Sequence, residues 1–198
     1  MKKIILIAAA ALMSFAAKAQ EVKFAYVNFE ELVMLSPDMD VARTAIEENA
    51  KMNEAEFMNM YKEYETKLQE YELKSSTWSE GIVELKQREI MQMQEGLKQA
   101  QQQFQLDLQQ LQQKLQAPII ESARNAVNEL AKAKGVAAVF DTSNSADGSQ
   151  TFLYLDPEQL VDLTPEARVM LNIPEDRTLE SLYAEMQAAQ AAAQTAQH

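Results

Sequence analysis

Between Asp38 and Lys134 the only helix breakers are Pro118, Gly81 and Gly96. So long a run of helix-forming residues leaves little choice but long helices. Two helical runs meet at Ser75-Ser76-Thr77-Trp78-Ser79-Glu80-Gly81, which reads as a tight turn near 75–81. At ~1.5 Å per residue, an arm of ~40 residues is ~60 Å long, more than a compact domain of this size can cover. The expectation is a helical hairpin over 38–117, whose reach must itself be useful.

The apolar spacing predicts how the helices pair. On the outgoing run Phe57, Tyr61, Tyr64, Leu68 and Tyr71 alternate steps of four and three, with Ile46 and Ala50 behind them. That is the mean 3.5-residue period of a coiled-coil seam. On the return run Val83, Ile90, Leu97, Phe104 and Leu111 recur every seven residues, with Met93, Ala100, Leu108 and Leu115 in the second seam position. A sustained seven-residue repeat implies a left-handed supercoil. Ser36-Pro37 is a start signal and Gly135 a stop, with Lys132 and Lys134 suiting the negative end of the helix. Pro118 should kink the return helix. A compact four-helix bundle is the competing layout. The glutamines crowding Gln87–Gln116 oppose it, because they leave an apolar stripe wide enough for only one partner helix.

The remaining chain predicts a small β body over 20–37 and 118–172. Val22–Asn28, Val136–Asp141 and Thr151–Leu155 read as strands, the last two forming a hairpin through the turn residues Asn144–Ser149. Phe29–Leu35 reads as a short helix, and Thr164-Pro165-Glu166 as the cap of another over Glu166–Asn172. Phe24, Tyr26, Val136, Val139, Phe140, Phe152, Leu153 and Leu155 are the candidate body residues. Three strands leave open edges and too small a core, so oligomerisation is expected to complete the body. The fold class is therefore α+β: a long antiparallel helical hairpin on a small three-stranded body. Residues 173–198 form a C-terminal extension. In it Leu179, Leu182, Tyr183 and Met186 suit a turn or two of helix, and the Ala/Gln sequence from Ala188 is expected to fray.

Lys2 and Lys3, an apolar run Ile4–Ala17 and Ala17-Lys18-Ala19 fit a signal peptide over residues 1–19, hence export. Removing it leaves 18 − 3 = 15 basic against 30 acidic residues. That balance offers no basic groove for nucleic acid and no charge-driven membrane anchor. Catalytic chemistry is missing. There is no Cys, and the single His is His198. Nucleophile–His arrangements cannot form in the usual way, and no Gly-rich phosphate loop is present. The stretch Asp141–Gly148 fails as an EF-hand, because its Gly and Glu positions are wrong. The sequence reads as a non-enzyme without cofactor or metal.

These blocks in this order carry a family resemblance. Val22-Lys-Phe-Ala-Tyr-Val-Asn-Phe29, the hairpin, Gly135-Val-Ala-Ala-Val-Phe-Asp141 and Asp162-Leu-Thr-Pro-Glu166 resemble the Skp (OmpH) family of periplasmic chaperones over about 20–172. The resemblance implies a homotrimer in which strands of three subunits join. It also implies arms that enclose unfolded outer-membrane proteins without ATP, in the periplasm. The family's best-known members are basic. Here the outgoing arm, 38–74, has ten acidic and five basic residues, and the return arm, 82–117, four of each, so no lipopolysaccharide site is carried over. Met52, Met58, Met60, Met91 and Met93, with Trp78 at the turn, are the possible client contacts, because methionine surfaces adapt to varied partners. Packing in the seam, and for Trp78 capping of the tip, is the simpler role for each. The rival to a holdase is an envelope scaffold that uses the arm as a strut. A strut needs polar outer faces; a holdase needs apolar residues left over from the seam.

Overall fold

The computed structural model describes residues 22–143, 152 and 154–195. The expected signal peptide, the expected turn Asn144–Ser149, Thr151 and Leu153 fall outside them.

Strand β1 (Lys23–Val27) leads into helix α1 (Phe29–Met34). Asn28 caps α1, its side chain accepting from the Glu31 N–H at 3.1 Å. After a one-turn break, α2 (Pro37–Lys74) begins with Ser36 Oγ accepting from the Met39 N–H at 3.2 Å and Pro37 in the first turn, where its missing donor costs nothing. A short 3-10 turn, Ser75–Thr77, reverses the chain into α3 (Glu80–Lys134). Gly135, at φ 64°, closes α3 in the left-handed conformation that glycine adopts without strain. Strand β2 (Val136–Asp141), β3 (Val161–Asp162), α4 (Thr164–Met170) and α5 (Leu179–Thr195) follow.

The sheet order is β2-β1-β3, and both pairings are parallel. Parallel neighbours need a crossover between them, and here the crossover joining β1 to β2 is the whole hairpin. That explains why the two limbs differ in length. Helix α3 has 55 residues and α2 has 38, a difference of 55 − 38 = 17. At ~1.5 Å per residue the surplus is ~25 Å, enough to carry the chain back past a six-residue strand of ~20 Å to the end where a parallel β2 must start. The surplus is the body-packed end of α3, from Pro118 onward, through which the helix runs unbroken.

One expected strand is corrected. Phe152, Tyr154 and Leu155 carry no strand, and the third strand is instead Val161–Asp162 beside β1. Phe152 contributes through its ring, packed edge-on to Phe140 at 5.4 Å, rather than through a backbone ladder. Leu163 anchors the real third strand: its side chain is fully buried and its N–H donates to Tyr26 O at 3.0 Å. Helix α4 begins at Thr164, earlier than expected. The Thr164 hydroxyl accepts from the Asn28 N–H at 3.1 Å, and Asp162 takes over as the acceptor for the Thr164 N–H at 2.8 Å.

The core lies under the sheet. Ala25 and Val27 from β1, Leu32 and Leu35 from α1, Ala123 and Val127 from α3, and Leu163 and Ala167 meet there. Ile173 and Leu182 from the C-terminal extension join the same core. The extension also departs from expectation in its helix. Helix α5 runs to Thr195, through the Ala/Gln stretch expected to fray, because alanine and glutamine are strong helix formers. A second small cluster, Met39, Ala42 and Ile119, sits where the arm leaves the body.

Candidate functional site

The arm is thin. Between Arg43 and Pro118 only Leu97 is buried; every other side chain is half-buried or exposed. On α3 the seven-residue series Val83, Ile90, Leu97, Phe104 and Leu111 faces α2, with Met93, Ala100, Leu108 and Leu115 between. On α2, Phe57, Tyr64, Leu68 and Tyr71 are half-buried in the same seam. Tyr61 is the exception: it stands 40 % exposed beside Tyr64, ring to ring at 6.2 Å, and Met60 fills the seam in its place. Polar links close the outer part of the hairpin. Gln87 Nε2 donates to Tyr71 Oη at 2.6 Å, and Glu89 joins Lys67 across the seam at 3.2 Å and Lys86 on its own helix at 2.7 Å. The hydrogen bonds from Lys86 and Lys67 hold the Glu89 carboxyl below its usual range. Such exposed pairs align the limbs more than they stabilise them.

The seam is not filled along its length. A cleft of about 360 Å³ opens between Met60, Met93, Gly96 and Leu97, and a second of about 230 Å³ between Ala50, Phe57, Phe104 and Leu108. Among the methionines singled out from sequence, Met60 and Met93 line the first cleft, whereas Met58 and Met91 point into solvent, 45 % and 60 % exposed. Met52, Leu73, Leu85 and Leu106 are likewise exposed apolar residues outside the seam. Trp78 is half-buried and sits 6.1 Å from the Tyr71 ring, over the end of the hairpin.

On the body, strand alternation separates two faces. Ala25 and Val27 turn inward, and Val136 and Val139 pack on the same core. Phe24 and Tyr26 turn outward with Phe140. Phe24, Phe140 and Phe152 form a row of rings spaced 5.9 and 5.4 Å, and Phe24 is 39 % exposed. Leu155 is half-buried; Leu153 lies outside the described residues. Among the described residues, β2 is an edge of the sheet beside Phe140.

Sequence reasoning missed the arm's root. Asp40, on the first turn of α2, accepts from Arg43 on its own helix and from both terminal nitrogens of Arg177, one at 2.6 Å. Arg177 comes from the C-terminal extension, 137 positions away. No local pattern announces such a pair.

Among the described residues, no three His, Cys, Asp or Glu side chains group as metal ligands, and no helix is long and apolar enough to cross a membrane. The chain matches the family model described as "Outer membrane protein (OmpH-like)" over residues 23–171. No curated protein matches it.

Proposed function

The chain belongs to the OmpH family, and on that premise we propose that it is an ATP-independent holdase of the periplasm that shelters unfolded outer-membrane proteins between helical arms. The arms would belong to three copies of this chain joined through their bodies. The observation that carries this reading is the set of exposed apolar side chains off the seam: Met52, Met58, Leu73, Leu85, Met91 and Leu106. A rigid strut has no use for them, because apolar area left in water stabilises nothing. A holdase does: many weak apolar contacts, summed over a long surface, retain a guest while leaving each contact easy to break. Methionine suits the task, being unbranched and able to fill irregular gaps. The row Phe24, Phe140 and Phe152, beside a β2 that is a sheet edge among the described residues, supports body-to-body assembly, since an aromatic face in water favours a partner.

The deciding experiment is light scattering from an unfolded outer-membrane β-barrel protein diluted out of denaturant. With the purified protein present at one assembly per guest and no nucleotide, aggregation should be suppressed. Aggregation at the rate of buffer alone would favour the envelope-scaffold reading.

A further inference from the structure

The chain after Asn172 lies beyond the family match, yet it is bound into the fold. Asn172 adopts a positive φ of 54°, which asparagine tolerates, and turns the chain back at the end of α4. Ile173 and Leu182 then enter the main core. Arg168 holds the turn in place: it donates to Pro174 O at 2.5 Å, to Arg177 O at 2.8 Å and to the Glu31 carboxylate of α1. Tyr183 Oη donates to Glu30, also on α1, at 2.5 Å. With its backbone fixed in this way, Arg177 presents its guanidinium fork to Asp40. Paired hydrogen bonds of this kind fix direction as well as distance.

Arg177 grips α2 at the level where the arm leaves the body. On the outgoing side the chain breaks between α1 and α2 at Leu35–Ser36. On the return side α3 runs unbroken through Pro118, but that residue lacks the N–H that would bond the carbonyl one turn earlier. Met39 and Ala42 pack on Ile119 at this same level, and the packed cluster is small. The outgoing limb is thus interrupted, and the return limb lacks one helical hydrogen bond, near the same level. The arm magnifies any slack: a tilt of about 10° at Asp40 moves residue 59 by about 5 Å and the tip by about 10 Å.

We propose that residues 173–183 are a brace that fixes the angle at which the arm leaves the body, with Arg177 as the positioning residue. The brace stands on the contacts around Asp40. Its use, setting the spacing between arms that surround a guest, rests on the holdase reading above.

The chain has no cysteine, so spin labels can be placed without background. Asn59→Cys on the arm and Val169→Cys on the body are both exposed sites. Labelled full chain, diluted into unlabelled chain, gives the 59–169 distance distribution by pulsed electron resonance. The native protein should give one narrow distribution. Arg177→Gln keeps Ile173 and Leu182 in the core but loses the charged fork, and should broaden and shift the distribution with little change in the melting of the body. Arg177→Lys, which keeps the charge, should recover part of the narrowing. An unchanged distribution in Arg177→Gln overturns the brace, and so does loss of the folded body, which would make Arg177 a stabilising residue only. The measurement contains no guest. A protein that fails to suppress aggregation while Arg177 still controls the distance would sink the holdase reading and leave the brace standing.

Discussion

Leu97 has the least exposed side chain on the free part of the arm, at 8 % of its surface. It sits midway along the seven-residue series, at the floor of the larger cleft. Leu97→Ala removes buried methyl groups at a place that cannot collapse, since a cleft already lies beside it. Large-to-small changes of this kind cost about 2–5 kcal/mol, and partial burial puts this one at the lower end. Denaturation followed by far-ultraviolet circular dichroism should show part of the helical signal, that of the arm, melting earlier than in the native protein. Asp40 makes a second residue-scale prediction. Burial alone would raise its pKa, but the hydrogen bonds from Arg177 and Arg43, the charged groups that face it, outweigh burial and hold it below the usual carboxylate value. A depressed carboxylate adds stability that is complete above its unfolded pKa of about 3.9 and is lost as pH falls through the lower folded value. The 59–169 distance should therefore stay narrow from neutral pH down to about 4 and broaden only in stronger acid. Broadening already near neutral pH would show that Asp40 is not the group that holds the root.

At the scale of elements, the arm divides its apolar residues between a seam and an outside. The sequence makes the return seam plain, because Val83, Ile90, Leu97, Phe104 and Leu111 repeat with no competing phase. The outgoing seam was less legible. Steps of three and four can be threaded through Tyr61 or through Met60, and only packing against α3 selects Met60. The third strand was hidden for a different reason. Two residues, Val161 and Asp162, are too short for an alternating pattern, whereas Thr151–Leu155 has the aromatic and β-branched content of a strand. The brace was illegible because Asp40 and Arg177 are ordinary charges until tertiary structure joins them. The exposed methionines offer the functional test at this scale. Met58→Gln with Met91→Gln keeps helix propensity, since both side chains are straight and unbranched. The double variant should keep the native helix content and melting while suppressing aggregation less well. Equal suppression would mean that guests touch other surfaces.

For the whole molecule, the sheet is the part we propose is completed by other copies of the chain. Among the described residues, strand β3 has two residues, β2 is a sheet edge, and Phe24 lies 39 % exposed. Mass measurement in solution should return three times the 22.3 kDa chain, less any segment removed on export. Phe140→Asp should shift the mass toward one chain, because a charge in the ring row cannot be buried unpaired. A single-chain mass for the native protein would remove the enclosure. The acidic balance of the chain, −12, keeps an apolar surface soluble.

The hairpin enters this story as the link between two parallel strands, and that has a consequence for size. The sheet registers only where the link departs and where it returns; nothing in the body measures how far it travels between. Removing one heptad from each limb at matched positions would draw the tip in by about 10 Å while every strand pairing stayed as it is. On the holdase reading, capacity is thus a dimension that can lengthen or shorten by whole repeats, without renegotiating the foundation on which it stands.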